Sequence, residues 1–189
     1  MKLHEICNEM TMKAGNLDAL ATKFVDLNKD QWKTGEYVGD IENFKVKKFS
    51  NCYSLWLDDE IISSLDVKPE GEITFVGRLW TNEKFRGQKV LSKFLWFLKT
   101  QEKYSKMVLC NIHSTDTQAV VTHGLSRFDK SWYKDGKIEP FSIETLDKYY
   151  SHKHPTGWQL MLENDGAFTD WPRFKNGGWV KEDYSWQIE

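Results

Sequence analysis

Apolar positions along the chain change period several times, and the changes mark out the elements. Between residues 3 and 31 the spacing is helical: Leu17, Leu20, Ala21, Phe24 and Leu27 fall on one face of a 3.6-residue period, with Asn16 placed to cap it. Residues 35–43 are polar and read as a connector. The period then drops to two. Residues 44–49 set Phe44, Val46 and Lys48 against Lys45, Lys47 and Phe49, and residues 53–57 and 61–67 flank Asp58-Asp59-Glu60 as a hairpin. In that hairpin Tyr53, Leu55 and Leu57 share one face, as do Ile61, Ser63, Leu65 and Val67. Lys68-Pro69-Glu70-Gly71 reads as a turn into a strand over 73–79.

Past that strand the period returns to helical. Val90, Leu91, Phe94, Leu95 and Leu98 make one broad apolar face, which marks a helix packed on a sheet. A short strand over 106–112 and a helix over 117–128 follow, with Ala119, Val120, His123 and Leu125 inside it. Beyond residue 129 the signal thins to a strand at 138–141, a helix at 142–150 and a strand at 158–162, and residues 163–189 show no period. Antiparallel strands followed by two strand–helix units predict an α/β domain whose sheet changes from antiparallel to parallel.

Between strand 73–79 and its helix lies a polar loop carrying Lys84, Arg86, Gly87 and Lys89. Cations at a helix N-terminus are disfavoured by a few tenths of a kcal/mol each, so they either stay solvated or meet an anion. Unpaired backbone N–H groups, with a glycine that admits close approach, are suited to phosphate. A solvated basic turn explains the same residues equally well.

Composition narrows the classes. The 189 residues suit one domain with a proper core, and a formal net charge of −2 with both signs scattered gives no global argument for nucleic acid or membrane. Cys7, Cys52 and Cys110 are odd in number and far apart, which argues against a disulfide framework or a structural zinc site and fits a reducing, cytoplasmic setting. No window approaches the roughly 18 apolar residues of a membrane span. Nine tryptophans, several of them late in the chain among polar residues, are candidates for a binding surface.

In their order and their loop, residues 44–128 resemble the GNAT superfamily of acyl-coenzyme A N-acyltransferases. The residues that carry it are Leu79 and Thr81 at a Leu-x-Val strand end, Phe85 before Arg86-Gly87-Gln88-Lys89-Val90-Leu91, and Asp116, Ala119, His123 and Phe128 at the spacing of a second motif. The resemblance implies a GNAT-like mixed sheet flanked by helices. An N-terminal helical segment (1–43) and an aromatic-rich C-terminal segment (129–189) would extend it within one domain. It also implies acetyl-CoA as co-substrate, held by Leu79, Thr81, Arg86 to Leu91 and Asp116, with His123 as the acid toward the leaving thiolate. Lys89 and Leu91 stand where the family has small residues. A side chain at the first of these costs about 1 kcal/mol if the backbone is left-handed there.

Other roles are weaker on sequence alone. Glu72, Glu83 and Asp66 are candidate bases, and each carboxylate is more often simply solvated. Arg78, within an apolar strand, needs a partner and either orients an anionic substrate or forms a buried pair. His113 with Asp116 and His123, or His152 with His154, lack a complete zinc spacing, and no metal is expected. The leading expectation is therefore N-acetyl transfer to an amine of unspecified class. Two alternatives stand beside it. One is a non-catalytic module with a spoiled coenzyme loop, its aromatic tail packed into a partner or a second copy. The other is a phage-like base-modifying enzyme of the Mom type, for which Lys45, Lys47 and Lys48 are the only start of a basic groove.

Overall fold

The structure, a computed structural model, describes residues 14–110, 125, 126, 128–149, 157–163, 174, 175, 178 and 179. Helix α1 (Ala14–Lys33) leads into a meander of β1 (Glu36–Ile41), β2 (Phe44–Phe49), β3 (Cys52–Leu57), β4 (Glu60–Glu70) and β5 (Ile73–Thr81). A loop then starts α2 (Val90–Gln101), which returns to β6 (Lys106–Leu109), parallel to β5. Later come the hairpin β7 (Asp129–Lys134) and β8 (Lys137–Pro140), the short α3 (Leu146–Tyr149), and β9 (Gln159–Glu163). Two-residue strands β10 (Phe174–Lys175) and β11 (Gly178–Trp179) pair with each other.

Nine strands form one sheet in the order β1-β2-β3-β4-β5-β6-β9-β7-β8, and β5–β6 is its parallel pair among the described residues. Strand β9 inserts between β6 and β7 and is antiparallel to both. A mixed α/β sheet with a strand–loop–helix–parallel strand unit at its centre agrees with the sheet that the resemblance implied.

Each face carries its own apolar cluster. On one, Phe94, Leu95, Phe97 and Leu98 of α2 pack on Tyr53, Leu55, Leu65, Val76 and Leu109. On the other, Val25 and Trp32 of α1 pack with Cys52, Trp56, Ile61 and Trp80. A bulge decides which β4 residues join which cluster. Ser63 faces Leu55 while Ile61 faces Trp56, so Ile62 is one residue too many for its partner strand. That extra residue moves Ile61 to the α1 face, away from Leu65 and Val67, and corrects the single face expected for all of them.

Other expectations change as well. The buried face of α1 is Val25 and Trp32 with Ala21 and Phe24, whereas Leu20 and Leu27 are 47% and 75% exposed. Asn16 lies inside the helix rather than at its cap. The polar 35–43 stretch contains edge strand β1, and the featureless 129–134 stretch is β7. Lys68-Pro69-Glu70 belongs to β4, and Gly71, at φ 63°, makes the turn instead. The expected helix over 117–128 falls mostly outside the described residues, of which Leu125 and Phe128 are buried. Late aromatics do find core positions: Trp132 packs 5.5 Å from Phe141 and 5.3 Å from Tyr149, with Trp158 4.9 Å beyond Tyr149.

Candidate functional site

Strand β5 changes character halfway along. Over Ile73 to Val76 it is paired on both sides, with β4 and with β6. The parallel register ends at Val76 and Leu109, closed by the Cys110 amide donating to the Val76 carbonyl at 2.8 Å. From Gly77 to Thr81 the described residues give β5 a partner on one side only, β4. Even that ladder is interrupted. Asp66 faces Gly77 and Ser64 faces Trp80, so Arg78 and Leu79 together stand opposite one residue, Leu65. The register thus makes Arg78 and Leu79 a bulge against β4, with no partner toward β6 among the described residues.

The bulge also re-aims side chains. Val76 and Leu79 point into the α2 cluster, while Trp80 joins the α1 cluster. Arg78, at φ 46°, turns to the α1 side, where its Nε donates to the Asp66 carboxylate and its guanidinium lies 4.3 Å from the Phe24 ring centre. Burial raises the Asp66 carboxyl above its ordinary range, and the charge and hydrogen bond of Arg78 oppose that rise. Ser63, fully buried, donates to the Trp80 carbonyl at 2.6 Å and lies 3.1 Å from the Thr81 hydroxyl, fixing the strand just past the bulge.

The loop that follows is built, not slack. Asn82 accepts from the Lys84 amide at 3.1 Å and donates to Glu60 at 3.0 Å, so a local Asx turn opens the 3-10 turn Glu83–Phe85. Phe85 sets its ring edge-on to Phe44 at 6.0 Å. Arg86 Nε donates to the Thr81 carbonyl at 3.1 Å, and Gln88 to the Lys84 carbonyl at 3.1 Å. Gly87 and Lys89 then both take left-handed backbone, at φ 78° and 56°, and α2 begins. Lys89 is the helix cap residue and makes no side-chain capping bond, while Val90 is buried and Leu91 packs on the α2 cluster. The first amides of α2 have no intrahelical acceptor and face the loop. Lys84, Arg86 and Lys89 are exposed around them.

Leu79, Thr81, Arg86, Gly87, Gln88, Lys89, Val90 and Leu91 are therefore brought to one end of β5 and one end of α2. Glu72 is not among them. It sits in the turn before β5, its side chain 87% exposed and 3.6 Å from Lys106, the length of a nine-residue strand from the loop. Glu83 opens the 3-10 turn and is exposed. Arg78 is at the right level of the strand but its charge is directed to Asp66. Asp116 and His123 lie outside the described residues, as do His113, His152 and His154. Among the described residues no group of three or more His, Cys, Asp or Glu is placed to hold a metal, and no helix is long and apolar enough to cross a membrane. Sequence reasoning missed Ser63, Asn82 and Glu60. Only Asn82 carried a signal, as an Asx residue at a strand end.

No protein-family model and no curated protein sequence matches the chain. Solved structures overlap it loosely. The diaminobutyrate acetyltransferase of Paenibacillus lautus, in complex with L-2,4-diaminobutyric acid and coenzyme A, is 12% identical, with 61% of this chain and 72% of that one covered at a TM-score of 0.41. A GNAT family acetyltransferase of Elizabethkingia anophelis with acetyl-CoA bound is 17% identical, over 70% and 78% of the two chains, at 0.37. A Bacillus subtilis acetyltransferase in complex with CoA is 13% identical, over 74% and 80%, at 0.32. Overlap at these scores transfers no residue and no ligand.

Proposed function

We propose that the chain is an N-acetyltransferase that passes an acetyl group from acetyl-CoA to an amine by direct attack. The observation that supports it is the β5–loop–α2 unit. There, β5 keeps β4 as its partner from Gly77 to Thr81 but has none on the β6 side among the described residues, and two left-handed residues turn the backbone into a helix N-terminus beside Arg86, Lys89 and Lys84, the last paired with Glu60. The loop fits a diphosphate. A Cβ placed at Gly87 would meet no atom within 4 Å, so that face of the backbone is open, and the first amides of α2 have no acceptor within their own helix.

When bound, the coenzyme supplies an acetyl group activated as a thioester. Arg86, Lys89 and the amides from Gln88 onward hold its diphosphate. The backbone of Arg78 and Leu79 donates to the acetyl oxygen as negative charge grows there. The amine nitrogen bonds to the carbonyl carbon and sheds a proton to water, and the carbon–sulfur bond breaks. His123 is the proposed donor of a proton to the departing sulfur. Glu72 has no part, since it is at the far end of β5.

A binding module with a closed loop is the competing reading, and Lys89 in left-handed backbone favours it. One measurement separates the two. Acetyl-CoA at a hundred times its dissociation constant adds about 2.7 kcal/mol, which raises the unfolding midpoint by roughly 5–10 °C for a domain of this size. The rise is expected in the native chain and lost in Arg86→Glu. No rise at millimolar acetyl-CoA overturns the acetyltransferase reading. Turnover in His123→Phe is expected to fall with coenzyme binding unchanged.

A further inference from the structure

We infer that Arg78, Asp66 and Phe24 form a clamp by which α1 holds the β5 bulge in shape, making Arg78 a positioning residue for the acetyl group. The inference rests on the acetyltransferase reading and adds to it the device that keeps the acetyl-binding backbone in place.

Three observations on the clamp are independent of one another. Arg78 is held at φ 46°, a conformation that costs a non-glycine residue about 1–2 kcal/mol and persists only where surroundings over-determine it. Its side chain, 36% exposed, makes its two contacts on the far side of the sheet from α2. Nε donates to Asp66, whose neighbour across β3 is Cys52, and the guanidinium stacks on Phe24 at 4.3 Å. The clamp has a fixed seat as well. Phe24 lies 5.8 Å from Trp32, and the indole of Trp80, the residue after the bulge, donates to Thr22 of α1 at 3.2 Å. The side chain of Arg78 thus faces α1 while its backbone and that of Leu79 form the bulge, two residues set opposite Leu65 alone. Removing the clamp frees the backbone to relax, and the amides lose their aim before the loop at Gly87 is affected.

The probe is the pair acetyl-CoA and CoA, which share the diphosphate and differ in the acetyl group. Isothermal calorimetry on the full chain is expected to show acetyl-CoA bound about threefold to tenfold more tightly than CoA, the worth of one hydrogen bond. Arg78→Gly accepts the left-handed backbone without strain, so folding is preserved while the clamp is gone. In that variant the preference is expected to fall to about one with CoA affinity within twofold of the native chain. Asp66→Asn, which keeps the volume, and Phe24→Leu, which keeps an apolar side chain without the ring, are expected to lower it by smaller steps. A preference unchanged in folded Arg78→Gly overturns the clamp, as does a native chain that binds both equally. Loss of CoA affinity together with acetyl-CoA affinity also overturns it, because the triad then holds the whole domain rather than the bulge. A native chain that binds neither removes the acetyltransferase reading itself.

Discussion

Helices α1 and α2 cover opposite faces of one sheet and are held in different ways. In α2 every residue over 94–99 is buried, because Phe128 closes on Trp96 from the outside at a ring distance of 6.3 Å while Phe94, Leu95, Phe97 and Leu98 meet the strands. Helix α1 buries Val25 and Trp32 and leaves Leu20 and Leu27 in solvent. One helix is built into the core and the other is laid on it. A buried helix gives a fixed N-terminus for the loop at Gly87, and a surface helix leaves room for polar contacts such as Arg78–Asp66 beneath it.

The sharpest way to break this contrast is to cut into both helices. Phe97→Ala removes a fully buried ring from α2 and is expected to cost about 3–5 kcal/mol. Val25→Ala, on α1, deletes two methyl groups and is expected to cost roughly 1–2 kcal/mol. Urea unfolding with a shared slope reads both. Equal losses would mean that α1 is as deeply built in as α2.

Next in size is the left-handed residue at the start of α2. Lys89→Gly relieves a conformation that lysine adopts at a cost of about 1 kcal/mol, and is expected to raise the midpoint by roughly 2–4 °C. The acetyl-CoA shift is expected to shrink with the loss of one cation but to persist, since Arg86 and the amides remain. A lowered midpoint would show that the lysine side chain holds the loop, and that α2 is not fixed by its core alone.

How far the sequence revealed these two helices follows from the same physics. Val90, Phe94 and Leu98 advertise α2 because a broadly buried helix needs a broad apolar face. Helix α1 showed two apolar stripes, and periodicity favoured the one containing Leu20 and Leu27 over the one containing Val25 and Trp32. Period 2 found β2 through β5, yet alternation carries no mark of where a strand inserts an extra residue. The bulges at Ile62 and at Arg78 to Leu79 were therefore invisible, and with them the side to which Arg78 turns. Strand β1 was hidden by Gly39 and Asp40, and β7 by Asp129, Lys130 and Ser131, because edge and late strands hold few of the residues that signal pairing. Loop residues Arg86 to Lys89 were legible from a motif, while Ser63 and Glu60 reach the site only through the register.

A smaller effect comes from protons at the α1 face. Burial holds the Asp66 carboxyl above the usual range despite Arg78, so the folded chain keeps that proton to higher pH than the unfolded chain does. The sign follows: the contribution is full below about pH 4, the unfolded value, and is lost as pH rises through the folded one. The midpoint of the native chain relative to Asp66→Asn is therefore expected to decline as pH rises above about 4. A relative midpoint that climbs instead would show the guanidinium outweighing burial, and would make the α1 face a charged seam rather than a desolvated one.

The smallest effect tests whether α1 really has a bare side. Leu27, at 75% exposure, has little apolar surface to lose, and Leu20, at 47%, has somewhat more. Leu27→Gln is expected to change stability by no more than about 0.5 kcal/mol, the range of ordinary surface substitutions. Glutamine keeps the helix propensity of leucine closely, so the comparison reports burial and not the helix itself. A loss above about 1 kcal/mol would require that surface to be covered in solution. The contrast between a helix built in and a helix laid on would then fail on its outer side. The same readout at Leu20 locates the edge of any cover, since the two leucines are two turns apart on one stripe.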